Sequence, residues 1–142
     1  FVDRTFNANS KRANDILTFI KEKYGKEYTI GDYEDFEDGV TLPGMFIQLV
    51  NFEQVGNKAP GIFRANCTFR VYICESFKGQ AKKRVRDTAL DVALFVDGNF
   101  WGDIQTFTKG SFEFAEEDAF NEKIDAAEIW QVEWKQEIYI EK

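Results

Sequence analysis

Residues 62–74 decide the fold of this chain, and they read Ile62-Phe-Arg-Ala-Asn-Cys-Thr-Phe-Arg-Val-Tyr-Ile-Cys74. Every odd-numbered position from 63 to 73 is apolar, whereas polar residues occupy the even-numbered positions 64, 66, 68 and 70. An alternation with a period of two residues is typical of a β-strand that buries one of its two faces. We therefore predict a long strand over residues 62–74, with the other elements packed around it.

A helix is predicted shortly after this strand, over residues 80–96. Its apolar residues recur every three or four positions, as they do on the buried face of a helix. They are Ala81, Val85, Ala89, Leu90, Val92, Ala93, Leu94 and Val96. The sequence Asp97-Gly-Asn99 ends this helix.

The remaining elements flank this strand and helix. A first helix spans residues 10–24, with Ser10 as its cap and Gly25 just beyond its end. Strands are predicted over residues 45–55, 104–114 and 126–140. A short strand around Tyr28 and Ile30 is a further candidate. The turn-rich connector 56–61 should join the strands on either side of it as an antiparallel hairpin.

The order of these elements predicts an α+β fold, more specifically an α-β-β-α-β-β sandwich. We expect a mostly antiparallel sheet with the helices packed on one face. The chain has 142 residues, of which 44% are hydrophobic, and it is expected to form a single domain over residues 1–142. Residues 1–9 lack a clear period and are interpreted as a flexible arm. The arm is either a frayed end or a segment that docks on a neighbouring subunit through Phe1 and Phe6.

Two cysteines, Cys67 and Cys74, lie in the predicted central strand. Their odd separation in sequence places the two side chains on opposite faces of the strand, so they should not form a disulfide with each other. Free thiols are typical of a reducing compartment such as the cytoplasm.

The sequence contains no recognisable catalytic or cofactor motif. Histidine, the commonest general base and zinc ligand, is absent. Neither a GxxxxGK[ST] phosphate-binding loop nor a GxGxxG dinucleotide-binding motif occurs. A hydrolase that uses paired carboxylates stays formally open, but we expect no enzyme, no cofactor and no bound metal.

The net charge of −7 disfavours general nucleic-acid binding, because an acidic surface repels phosphate groups. No apolar run approaches the roughly 20 residues that a membrane-spanning helix needs. We therefore expect neither sequence-specific nucleic acid nor a membrane among the partners.

A dense acidic run covers residues 32–38. Its carboxylates belong to Asp32, Glu34, Asp35, Glu37 and Asp38. Carboxylates at alternate positions are typical of calcium loops, but the EF-hand pattern requires glycine at the sixth position, where this run has Glu37. We interpret the run as a solvated loop or as a surface that meets a basic partner.

Five cations crowd the start of the predicted second helix. They are Lys78, Lys82, Lys83, Arg84 and Arg86. This position is unusual, because the N-terminus of a helix already carries positive potential. Three interpretations stay open: a solvated helix face, a docking patch for an acidic surface such as the acidic run of a neighbouring copy, and a nucleic-acid contact. The cluster lacks the interleaved aromatic residues of single-strand binders, which disfavours the third.

Phe100 and Trp101 form a bulky aromatic pair in a loop bounded by Gly98 and Gly102. One interpretation is a plug that covers the end of the core. The other is an exposed anchor in a protein–protein interface, where tryptophan is enriched. The acidic run, the basic cluster and this aromatic pair are together the candidate interface for a partner protein.

From Cys67 to the C-terminus the chain resembles the tail proteins of contractile phages and Mu-like prophages, and more broadly the phage tail-terminator proteins. The resemblance is one of pattern and order. It lies in the strand Phe69-Arg-Val-Tyr-Ile-Cys74, the helix over residues 82–96 and the closing strand Ile129-Trp-Gln-Val-Glu-Trp-Lys-Gln-Glu-Ile138. The acidic run at residues 32–38 has no counterpart in that pattern.

The resemblance implies an α/β sandwich that forms a homo-oligomeric ring, usually a hexamer. Such a ring caps the tail tube of the virion and joins it to head-completion proteins. It is made in the cytoplasm of the bacterial host, and it has no catalytic residues. The alternative from another functional class is a small-ligand or peptide-binding domain, with a pocket between sheet and helix near Phe100 and Trp101.

Overall fold

In the computed structural model, the described residues are 10–32, 42–55, 62–76, 80–102, 108–117 and 127–141. They form a mixed α+β fold with two helices and five strands. In chain order the elements are α1 (Ser10–Tyr24), β1 (Thr29–Asp32), β2 (Gly44–Gln54), β3 (Ile62–Ser76), α2 (Ala81–Val96), β4 (Ser111–Glu117) and β5 (Ala127–Glu141). Within these ranges, neither helix is long and apolar enough to cross a bilayer.

The five strands form one sheet with the order β1-β2-β3-β5-β4. Only the pairing of β1 with β2 is parallel, and the other three pairings are antiparallel. The predicted α+β class and mostly antiparallel sheet are therefore confirmed, as is the hairpin of β2 and β3. The short strand expected near residue 30 is present as β1. The long strand predicted from the apolar alternation is present as β3, which lies at the centre of the sheet and pairs along both of its edges.

The strand predicted over residues 104–114 is wrong in its placement. Strand β4 begins at Ser111 and continues to Glu117, and residues 103–107 lie outside the described part of the chain. Gly110 instead precedes β4, and its backbone is hydrogen-bonded to the residues just after α2. Its carbonyl accepts from the N–H of Gly98 at 2.8 Å, and its own N–H donates to the carbonyl of Asn99 at 3.0 Å. A Cβ at Gly110 would collide with the carbonyl oxygen of Val96, so only glycine fits there.

The main hydrophobic core contains residues from both helices and from the inward positions of the sheet. Its β3 members are Ala65, Cys67, Phe69, Val71 and Ile73. Cys74 belongs instead to a smaller cluster with Phe46, Tyr72 and Ile129. The two cysteines thus lie on opposite faces of β3 as predicted, and both are buried and outside any disulfide.

Candidate functional site

The basic cluster lies on the first turns of α2. Four of its members, Lys82, Lys83, Arg84 and Arg86, are exposed, and Lys78 falls outside the described residues. Two of the four have acidic partners within the chain. Lys83 Nζ lies 2.8 Å from the carboxylate of Asp87, and Arg84 Nε lies 3.6 Å from that of Glu75. No ion pair of Lys82 or Arg86 is present within the described ranges, so these two cations face solvent.

The acidic run lies almost entirely outside the described residues. Only Asp32 falls within them, as the last residue of β1. The interpretation of Glu34, Asp35, Glu37 and Asp38 as a partner surface therefore stays a prediction. Among the residues that the structure does describe, no group of three or more Cys, Asp or Glu side chains is arranged to hold a metal ion.

Trp101 is part of the core. Its side chain is 1% exposed, and its ring packs against Phe19, Phe95 and Trp134 at centroid distances of 5.7–6.1 Å. The interpretation as an exposed interface anchor is therefore wrong for Trp101, which plugs the end of the core. Phe100 beside it is half-buried. The same packing leaves Trp101 unable to line an open ligand pocket.

A buried glutamine holds this plug in place. Gln136 is 1% exposed, and its side-chain oxygen accepts from the indole N–H of Trp101 at 2.6 Å and from that of Trp134 at 3.1 Å. Its side-chain nitrogen donates to the backbone carbonyls of Asn99 and Thr108, each at 2.7 Å. One amide thereby satisfies two indole donors and two loop carbonyls. Sequence reasoning missed it, although a polar residue between Trp134 and Ile138 on a buried strand face was the available signal.

A second buried polar cluster joins β3 and α2 to Tyr28, the residue just before β1. The hydroxyl of Tyr28 donates to Glu75 at 2.6 Å and lies 2.9 Å from the hydroxyl of Thr88. Burial, aided by the hydrogen bond to Glu75, raises the pKa of Tyr28 above its usual range. Tyr28 therefore stays neutral at physiological pH, and its hydrogen bonds connect the turn before β1 to β3 and α2.

Three of the exposed large apolar side chains of the described residues border a groove between α2 and strand β4, named here the α2–β4 groove. Leu90, Leu94 and Phe112 are 62%, 71% and 36% exposed. They converge on a concave site of about 360 Å³, and six of its eight lining residues are apolar. The lining residues are Arg86, Leu90, Ala93, Leu94, Asp97, Phe112, Ala115 and Trp130.

The pairing register of β4 explains which of its side chains face the groove. The pairing of β4 with β5 shifts register between Phe112 and Phe114, so that Phe112 lies opposite Trp134 and Ala115 lies opposite Val132. Residues paired directly across two strands share a face. The bulge therefore turns both Phe112 and Ala115 toward α2.

Asp97 closes the groove at the C-terminal end of α2. Its carboxylate accepts from the backbone N–H of Phe112 at 3.1 Å. Arg86 lies nearer the N-terminal end of α2 and also lines the groove. The groove is thus an apolar trough with a cation toward one end and an anion at the other. Its chemistry suits an apolar side chain of a binding partner rather than a bond-making step.

Strand β4 is an edge of the sheet, and no described strand pairs with its outer side. An edge strand presents backbone N–H and C=O groups that a second chain can pair with. The groove and this edge therefore form one continuous candidate interface. Sequence reasoning assigned Leu90 and Leu94 to the buried stripe of the second helix, whereas the structure leaves both exposed.

No protein-family model matches the chain, and no characterised protein matches its sequence closely enough to count as a relative.

Proposed function

We propose that this protein is a structural assembly protein that forms a homo-oligomeric ring, of the kind that phage tail terminators form. The observation that carries the proposal is the α2–β4 groove. Contiguous exposed apolar patches on soluble proteins mark interaction sites, because water-exposed apolar surface is unfavourable unless a partner covers it. An edge strand beside such a patch adds backbone groups that association would also satisfy.

The composition and the resemblance support the same proposal. The sequence is rich in aromatic residues, among them 15 phenylalanines, and it contains charged clusters of both signs. The resemblance to phage tail proteins implies a ring that lies in the virion tail and contacts head-completion proteins. The order of the elements predicts that both helices pack on one face of the sheet, and the presence of α1 and α2 residues in one core cluster supports this arrangement.

A peptide-binding domain is the second candidate function. The same edge strand and groove favour it, since extended peptides add to exposed sheet edges and place side chains in adjacent pockets. The small-ligand version with a pocket at Trp101 is not supported, because Trp101 is enclosed by other aromatic rings. No described group of side chains favours an enzyme.

Reversing three charges of the basic cluster tests the electrostatic part of this proposal. The variant Lys82→Glu, Lys83→Glu, Arg86→Glu should weaken association about tenfold or more at low salt. The loss should shrink near 1 M salt, where the Debye length is only about 3 Å. Light scattering on a sizing column, over a concentration series at both salt levels, measures this effect.

The control is Lys21→Glu, Lys26→Glu, Lys109→Glu, which changes the same amount of charge at three exposed positions. It should assemble as the unmodified protein does. If the basic-cluster variant and the unmodified protein have the same oligomer mass at low salt, the basic cluster lies outside the interface.

A further inference from the structure

The charges of α2 oppose the dipole of this helix. Its first turn carries no acidic residue, and its last turn carries no basic one. Instead, the exposed Lys82, Lys83 and Arg86 lie near the positive N-terminal end, and the exposed Asp97 lies just beyond the negative C-terminal end. Both placements are unfavourable for a helix that stands alone. A partner that brings negative potential to the first end and positive potential to the second would relieve them.

Two of these charges, Arg86 and Asp97, line the α2–β4 groove together with Leu90 and Leu94. With 3.6 residues per turn, the four side chains project within about 80° of one another around the helix. Arg86 and Asp97 are about 16.5 Å apart along the helix axis. The midpoint between these two charges falls between residues 91 and 92, and the midpoint between the two leucines falls at residue 92.

A pattern with one common midpoint is self-complementary. We consider α2 of a second copy that lies antiparallel to α2, around a two-fold axis near residue 92. Arg86 of each copy then lies beside Asp97 of the other, and the exposed leucines of the two copies cover one another. The basic N-terminal end of each helix also meets the negative C-terminal end of the other. One arrangement thus covers the apolar groove and relieves the unfavourable charges at both ends of α2.

We propose that α2 of a second copy of this chain occupies the α2–β4 groove, antiparallel to the α2 helix of the first copy. This inference rests on the proposed homo-oligomer and names one contact that builds it. Both copies use the same surface, so the contact is isologous and joins the copies in pairs. A hexameric ring that contains this contact therefore has dihedral symmetry, with a second kind of contact between the pairs.

Self-crosslinking through a single new cysteine tests the direction of the two helices. Leu94 lies two residues from the proposed axis, so two copies of a Leu94→Cys protein place these cysteines about 6 Å apart along the helices. Lys83 lies nine residues from the axis, so Lys83→Cys places them about 27 Å apart. Both positions are exposed. A short bismaleimide should therefore link the Leu94→Cys protein to itself, and the Lys83→Cys protein is the matched control.

The native cysteines do not interfere with this reaction. Both are buried, and burial raises the pKa of the Cys67 thiol to about 12, so it holds little reactive thiolate at neutral pH. The unmodified protein treated with bismaleimide should therefore give no covalent dimer.

Mixing two charge-reversed proteins tests the pairing of Arg86 with Asp97. Arg86→Glu brings two anions together across the axis, and Asp97→Lys brings two cations together, so each protein alone should self-associate at least tenfold more weakly. An equimolar mixture places opposite charges at both ends of the contact and should recover most of the association, measured by light scattering. Melting curves check that both variants fold, and lysine is a favourable residue at the C-terminal end of a helix.

The expected result of the crosslinking is at least a tenfold higher yield of covalent dimer from Leu94→Cys than from Lys83→Cys. Equal yields would overturn the antiparallel contact. A mixture of the charge-reversed proteins that associates no better than either protein alone would overturn it as well.

The failure of this contact is distinguishable from the failure of the oligomer. If light scattering shows an oligomer of the Leu94→Cys protein but bismaleimide gives no crosslink, the contact between α2 helices is wrong and the assembly proposal stands. If the unmodified protein and all its variants are monomeric at every concentration, both proposals are overturned.

Discussion

Replacing Gln136 by leucine is expected to lower the free energy of unfolding by about 4 kcal/mol or more. The amide is buried and makes four hydrogen bonds, to two indole N–H groups and two backbone carbonyls. Leucine has nearly the same volume and can make none of them. Each buried polar group left without a partner costs about 1–3 kcal/mol. Most domains are stable by only about 5–15 kcal/mol, so this loss should remove a large share of the stability.

Urea unfolding followed by tryptophan fluorescence measures this loss. The matched control is Gln131→Leu, the same chemical change on the same strand. Gln131 makes an exposed hydrogen bond of 3.3 Å to Glu116, so its loss should change the unfolding free energy by about 0.5 kcal/mol or less. Equal, small effects of the two substitutions would mean that Gln136 does not organise the core around Trp101.

Replacing Leu90 by glutamate is expected to weaken self-association about 100-fold, which is about 2.7 kcal/mol. Leu90 is one of the most exposed large apolar residues of the described chain, and it lines the α2–β4 groove. If a second copy covers the groove, the substitution places a carboxylate in an apolar contact, where it loses its hydration. The monomer should keep its stability, because glutamate is nearly as good a helix former as leucine.

Sedimentation velocity over a concentration series, combined with a melting curve, separates association from folding. The matched control is Thr18→Glu, which adds the same charge at an exposed position of α1. The control should assemble normally. If Leu90→Glu and Thr18→Glu assemble equally well, the groove is not the interface between copies.

Much of the fold could be predicted because its strands carry one-sided apolar patterns. The alternation in residues 62–74 identified β3, and the same pattern identified β5. Helix α2 was predicted to within one residue of its start, from apolar spacing and the sequence that follows it. These patterns are local in sequence, so they can be recognised without knowledge of the tertiary structure.

The placement of β4 could not be predicted, because it depends on contacts between distant residues. Gly110 lies within the strand predicted over residues 104–114, whereas its backbone C=O and N–H form hydrogen bonds with Gly98 and Asn99 just after α2. The role of Trp101 was open for the same reason. An aromatic residue between two glycines is compatible with a plug and with an anchor, and only its packing partners decide between them.

The α2–β4 groove likewise needs the three-dimensional fold to be seen. Leu90 and Leu94 extend the apolar stripe of α2, and by periodicity alone they belong to the buried face. They are exposed because the neighbouring strand, β4, is only seven residues long and lies at the edge of the sheet. A short edge strand leaves part of the helix uncovered. The sequence of α2 alone does not indicate the length or position of that strand.

The mass of the unmodified protein in solution tests the central proposal most directly. Light scattering on a sizing column, from dilute to concentrated protein, gives the absolute mass without reference to shape. We expect a discrete species near six times the chain mass of 16.5 kDa, or growth toward such a species as concentration rises. A species of 16.5 kDa at every concentration would contradict the proposal that this chain builds a ring from copies of itself.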